Sequence, residues 1–184
     1  MFLRHSLCTG IVFALTLGAA PCFADNASFT ATLSGASQVP ANGSTATGFG
    51  SYQLNGDLFT VSETFSGLTA PVTGAHIHCC SGTDANAPVV IPFTGFPTGT
   101  SGTFNQVFNL STFAFGGGIN ETQFIAGLES GLAYANIHDM NFPGGEIRGQ
   151  LVPAAVTPEP SSFLLLGTGS LAALGLMRRR FLRG

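Results

Sequence analysis

The residues best suited to metal chemistry in this 184-residue chain are three histidines in two short segments. His76 and His78 flank an isoleucine in the first segment, and His138 follows an Asn-Ile pair in the second. Side chains two residues apart on a β-strand share one face, and imidazole is a common ligand of zinc and copper. If the two segments form neighbouring strands, the three imidazoles converge, so the pattern predicts a copper or zinc site. The candidates for additional ligands are Cys79, Cys80, Asp139 and Glu146.

The two segments share an alternation that bears on where the histidines point. Ile77 and Ile137 occupy equivalent places, and if both face the core, the polar positions on either side face solvent or a cleft. The alternative to a metal site is that the histidines hydrogen-bond to loops and shape the edge of the sheet. The spacing does not select a particular metal.

Cys79 and Cys80 are the only cysteines outside the first 24 residues. A disulfide between adjacent residues cannot link distant parts of the chain, so three arrangements remain for these cysteines. They could form a vicinal disulfide, which we favour, or ligate a metal as thiolates, or bridge to another chain.

Arg148 is the only basic residue between positions 25 and 156. It lies two residues after Glu146, so on a strand the two side chains share a face. We therefore predict a structural ion pair between Glu146 and Arg148, with Asp139 or backbone carbonyl groups as alternative partners.

Charge is scarce and unevenly distributed along the chain. Only 8% of the residues are charged, against about 25% in ordinary soluble domains. Five of the six arginines lie near the two ends, so the central region carries eight acids and one base. This excludes nucleic-acid binding by phosphate neutralisation, which needs a basic surface.

Residues 1–24 have the pattern of a secretory signal peptide. Arg4 supplies a positive start, residues 7–17 are uncharged and apolar, and small residues precede position 25. Signal peptidase is therefore an expected partner during export. A buried first helix and a lipid-modified Cys22 are the alternatives.

The C-terminal segment, residues 157–184, has three parts in a fixed order. Pro158, Glu159 and Pro160 come first, then the apolar run 163–177, then a basic cluster containing Arg178, Arg179 and Arg180. An apolar span followed by basic residues is a stop-transfer pattern. The arrangement also resembles the PEP-CTERM sorting signal of Gram-negative bacteria. That resemblance implies transient membrane anchoring, cleavage by an exosortase and release to the cell surface or extracellular matrix; a permanent anchor is the alternative.

The remaining residues, 25–156, predict a single all-β domain. Short alternating segments are separated by turn signals, of which Asn55-Gly56-Asp57 is the strongest hairpin signal. Asn120 and Gln123 predict the start of one short helix near residues 121–130. This pattern favours a Greek-key β-sandwich, immunoglobulin-like or superoxide-dismutase-like, with one helix.

Four segments resemble the CHRD (chordin-type) domain: residues 29–40, the two histidine segments, and residues 142–151. The resemblance implies an all-β extracellular module without an established catalytic role. A more distant likeness to copper–zinc superoxide dismutase supports the fold only, because this chain has too few histidines for two metals.

Two functions follow from these patterns. The first is a non-enzymatic module at the cell surface or in the extracellular matrix, with exopolysaccharide or other surface proteins as partners. The second is a copper- or zinc-binding extracellular protein, or a metalloenzyme, that uses His76, His78 and His138.

Overall fold

The computed structural model describes residues 26–154, and most of the regular structure within them is β-strand. The all-β class predicted from sequence is confirmed, as is the short helix, which is the one α-helix of these residues beside two single turns of 3-10 helix. The predicted signal peptide (1–24) and sorting segment (157–184, with its apolar run 163–177) lie outside the described residues. The strands are β1 (Asn26–Ser34), β2 (Thr47–Asn55), β3 (Leu58–Ser66), β4 (Val72–His78), β5 (Val89–Pro92), β6 (Gly102–Asn109), β7 (Tyr134–Asp139), β8 (Ile147–Gln150) and β9 (Val152–Pro153).

The strands form one curled antiparallel sheet in the order β5-β4-β7-β8-β1-β2-β3-β6, with β9 paired to β1. The curl brings the two ends of the sheet together over a shared core. Phe93, just after β5, packs against Phe104 and Phe108 of β6, with ring centroids 4.8 and 6.0 Å apart. The two halves of the sheet therefore face each other, as the layers of a sandwich do.

The hairpin between β2 and β3 shows how local chemistry positions the strands. Asn55 pairs with Leu58 at its end, and Gly56 adopts the positive φ (54°) that its position in the turn requires. From this turn the register runs unbroken to the pair Thr47 and Ser66, so alternate side chains of both strands face the core.

The one helix, α1 (Glu121–Glu129), begins with the capping box predicted from sequence. The Asn120 side chain accepts from the Gln123 backbone, and the Gln123 side chain accepts from the Asn120 backbone, both at 3.0 Å. Phe124 and Leu128 are fully buried, so the helix covers one end of the core. No helix within residues 26–154 is long and apolar enough to cross a membrane.

Candidate metal centre

β4 and β7 are neighbours, and their pairing brings the two histidine segments side by side. Gly74 pairs with His138, and His76 pairs with Asn136. Ile77 and Ile137 are fully buried, so the histidines lie on the opposite face of these strands. As expected from the sequence, the isoleucines face the core and the histidines face away from it. His78 is nevertheless only 9% exposed, because the loop that contains Ala87 lies against it.

The three imidazole rings form a compact cluster. The ring of His76 lies between the other two, with centroids 4.7 Å from His78 and 4.5 Å from His138. Each ring offers one nitrogen to a shared centre, and these three nitrogens all lie within 4.8 Å of one another. The three side chains are close enough to act on a single ion.

Two backbone carbonyl groups determine which nitrogen of two rings can act as a ligand. Nδ1 of His78 lies 2.7 Å from the carbonyl oxygen of Ala87, and Nδ1 of His138 lies 2.9 Å from that of Pro143. Because a carbonyl oxygen can only accept, each Nδ1 carries a proton and donates it. The lone pair of a neutral ring is then on Nε2, which is how histidine ligands of metals are usually held.

Three other ring nitrogens of the cluster are buried and have no hydrogen-bond partner among the described residues. They are Nδ1 of His76, Nε2 of His78 and Nε2 of His138, and all three are buried from solvent. A buried polar atom without a partner costs about 1–3 kcal/mol, so three of them in one cluster require an explanation. A bound cation would give all three lone pairs a partner.

The surroundings keep the imidazoles neutral. Burial lowers the pKa of His76 to about 3, helped by repulsion from His138 and His78 when these are charged. Burial also lowers the pKa of His78 and of His138, although the carbonyl hydrogen bond of each ring works in the other direction. Neutral imidazole is the form that ligates a metal, so the cluster is chemically ready for one.

The donor set and its size suit one zinc or copper ion. Two nitrogens on a tetrahedral zinc lie about 3.3 Å apart, from bonds of about 2.0–2.1 Å. Since the three nitrogens lie within 4.8 Å of one another, binding would draw them together by up to about 1.5 Å. Three histidines also leave a fourth position for water or another ligand, which is the arrangement of open zinc sites.

The two cysteines lie directly after His78 but are not available as thiolates. They are joined to each other in a vicinal disulfide. Cys79 is buried and Cys80 is exposed, and both sulfurs pack on Gly127 of α1, where any larger side chain would meet them. This is the first of the three arrangements that the sequence left open.

Asp139 and Glu146, the other proposed ligands, form a separate buried pair. Burial alone raises the pKa of Asp139, but hydrogen bonds from Glu146 and its other neighbours outweigh this and lower it. Burial and the bond to Asp139 raise the pKa of Glu146. Thr69 and Ser44 also donate to this pair. The ligand cluster found among the described residues contains the three histidines and neither carboxyl group.

The predicted ion pair between Glu146 and Arg148 does not form. Glu146 lies just before β8, outside the regular strand, so the rule that positions two apart share a face does not apply to it. The Arg148 guanidinium instead donates to Asn86 Oδ1 and to the carbonyl groups of Thr83 and Ala85. The alternative of satisfying backbone carbonyls was the better prediction.

Tyr134 was missed by sequence reasoning, although it joins the histidine cluster to Arg148. His78 stacks on its ring at 4.5 Å, and the guanidinium carbon of Arg148 lies 3.5 Å from the same ring centre. Its hydroxyl accepts from the Ala87 backbone, so it also holds the loop whose carbonyl orients His78. The available signal was its position two residues before Asn136 on the histidine strand.

Comparison with known proteins gives two matches within the chain. The CHRD domain matches residues 29–151, and the PEP-CTERM protein-sorting motif matches residues 156–180. Neither the curated proteins nor the solved structures give a match.

Proposed function

The chain belongs to the CHRD domain family, and we propose that it is an extracellular binding module for a single copper or zinc ion. It also carries a sorting motif, which implies export and processing by an exosortase. The motif accounts for export and for transient anchoring at the C-terminus. The histidine cluster supplies the binding chemistry, in the middle of the CHRD match.

One observation carries the proposal: each of the three imidazoles has a buried nitrogen without a hydrogen-bond partner, and the three rings offer ligand atoms within 4.8 Å of one another. Histidines that only shape a sheet edge would be expected to use both ring nitrogens. Here the carbonyls of Ala87 and Pro143 hold two rings in the tautomer that frees Nε2. These two carbonyl groups would thus hold His78 and His138 in the orientation that a metal ligand needs.

The site favours binding over chemistry on a large substrate. The nitrogens are buried, and His78 is confined between Tyr134 and the loop that ends at Ala87. An ion held by these buried nitrogens would be shielded from the polymers outside the cell. A metalloenzyme acting on a small molecule is the second candidate, because three histidines leave a coordination position open.

The test is the metal content of the processed protein. We expect one equivalent of copper or zinc after reconstitution and dialysis, and a rise in the melting temperature on loading, because the ion binds only the folded chain. His138→Gln should lose the stoichiometric metal. Asp57→Asn is the matched control, because Asp57 is an exposed residue in the β2–β3 turn.

Two outcomes would reject the metal site. One is a processed protein that retains neither copper nor zinc after reconstitution. The other is a His138→Gln variant that is folded by circular dichroism and binds as much metal as the native chain. A folded variant with lost metal supports the site, because it separates binding from stability.

A role in the extracellular matrix is a separate proposal that follows from the sorting motif. In this view the domain acts without catalysis, by contact with extracellular polysaccharide or with other surface proteins. Its first requirement is processing: deletion of residues 158–184 should abolish attachment at the surface. Unchanged surface attachment after that deletion would contradict it.

A further inference from the structure

The outer face of β1, β2, β3 and β6 is a broad surface without a single charged side chain. On these four adjacent strands, every outward position is Ser, Thr, Asn or Gln, except for Phe49, Leu58 and Val107. We call this surface the hydroxyl face. Its positions are Asn26, Ser28, Thr30, Thr32, Ser34, Thr47, Phe49, Ser51, Gln53, Asn55, Leu58, Thr60, Ser62, Thr64, Ser66, Thr103, Asn105, Val107 and Asn109.

Strand register arranges the hydroxyl face in rows. One row crosses all four strands through Thr32, Phe49, Thr64 and Thr103. Neighbouring strands lie about 4.8 Å apart, so such a row is about 14 Å long. Hydroxyl and amide groups both donate and accept hydrogen bonds, so the rows present a lattice of neutral donors and acceptors.

The absence of charge on this face is not a property of the whole domain. The acids of residues 26–154 are located in a turn, in the core, in a loop, on the helix and at the end of β7. They are Asp57, Glu63, Asp84, Glu121, Glu129, Asp139 and Glu146. The face therefore offers no ion pair to a charged polymer but many bonds to a neutral one.

A shallow cleft of about 440 Å³ opens at one end of the hydroxyl face. Phe49, whose side chain is half exposed, lies in its wall. Four hydroxyl residues, Thr47, Thr64, Ser66 and Thr103, also line it, together with Phe65 and two glycines. Its volume is within the usual range of small-ligand sites, about 300–1,000 Å³. An exposed ring among hydroxyls can stack on the C–H face of a sugar while the hydroxyls bond to its edge.

We propose that the hydroxyl face binds a neutral polysaccharide, with one sugar unit stacked on Phe49 in the cleft. A protein partner would be expected to meet a broad contiguous apolar centre. Here Leu58 and Val107 are diagonal neighbours on adjacent strands, and at least one row of polar side chains separates them from Phe49, so the apolar area is no larger than that pair. The inference gives the proposed matrix role a ligand class and a surface. It rests on the extracellular location of the domain and is independent of the metal site.

The test is affinity electrophoresis of the processed protein in gels containing dextran, laminarin or mannan, with anionic alginate for comparison. We expect retardation by at least one of the neutral polymers and none by alginate. Phe49→Ser and Thr64→Glu should weaken that binding at least tenfold. Thr122→Glu, an exposed position on α1, is the matched control for the added charge and should bind as the native chain does.

Three results would overturn the proposal. The first is no retardation by any of the three neutral polymers. The second is equal retardation of the native chain and of folded Thr64→Glu. The third is a concentration-dependent dimer in sedimentation that Thr64→Glu abolishes, since that would assign the face to a second copy of this chain. Unchanged metal content in Thr64→Glu would show that a failure here is separate from the metal site.

Discussion

Glu63 is a carboxyl group in the hydrophobic core, and it should make the stability of the domain depend on pH. It occupies an inward position of β3 between Val61 and Phe65 and is 1% exposed. The Tyr52 hydroxyl donates to its Oε1 at 2.7 Å, while its Oε2 has no partner. Gly50 permits this bond, because a side chain there would meet the Tyr52 ring.

Burial raises the pKa of Glu63 from 4.5 to about 7, against the smaller opposing effect of the Tyr52 hydrogen bond. A raised pKa means that the folded state holds a proton that the unfolded state loses at lower pH. Stability is therefore highest below pH 4.5 as far as this group is concerned, and it falls as the pH rises to about 7. At about 1.36 kcal/mol per pKa unit, the loss is about 3 kcal/mol.

The assay is urea unfolding of the native chain and of Glu63→Gln at several pH values from 4 to 8. The glutamine has the same shape but cannot ionise, so the difference between the two proteins isolates this one group. We expect similar free energies of unfolding at pH 4, and a variant that is more stable by about 3 kcal/mol at pH 8. Glu129→Gln, at an exposed helix position, is the control, and its free energy of unfolding should change with pH as that of the native chain does.

Parallel pH profiles for the native chain and Glu63→Gln would refute the reasoning. They would mean that Glu63 keeps an ordinary pKa in the folded protein, through water or a rearranged Tyr52. A variant that is less stable at every pH by a constant amount would likewise show that the carboxyl group acts through packing, not ionisation.

Three further substitutions test contacts described above, each by urea unfolding. Gly127→Ala should lower the free energy of unfolding by about 1–3 kcal/mol, because the added methyl meets the sulfurs of Cys79 and Cys80; an unchanged midpoint would contradict that contact. Arg148→Met should cost about 2–4 kcal/mol, because it strands the carbonyl groups that the guanidinium now satisfies. Full stability in that variant would show that the loop finds other donors. Asn120→Ala should cost about 1 kcal/mol through the lost helix cap, and Asn120→Asp, which can still cap, should cost less.

Features set by short-range patterns could be read from the sequence. The turn at Asn55-Gly56 and the helix cap at Asn120 were both predicted correctly. The convergence of the histidines could also be predicted, on the condition that the two histidine segments form neighbouring strands. The sequence could not establish that these strands pair, since pairing depends on the path of the whole chain.

The parts that sequence reasoning missed depend on loops and on distant partners. The carbonyl groups of Ala87 and Pro143 orient two histidines. Every residue type has a backbone carbonyl group, so the sequence does not show which ones act as acceptors. Arg148 reaches a loop more than sixty residues earlier in the chain. Glu63 is different, because a carboxyl group in phase with Val61 and Phe65 was visible in the sequence and marked a buried acid.

The pairing of β4 with β7 also sets the order in which the histidine cluster can come into being. His76 and His78 are made together, but roughly sixty residues of chain follow before His138 joins them, so closing that long loop is part of assembling the site. A chain synthesised only as far as β6 contains His76 and His78, but it lacks β7 and therefore His138. The cluster is therefore complete only once β7 has been made and has paired with β4, and any ion that needs all three imidazoles could bind only after that pairing.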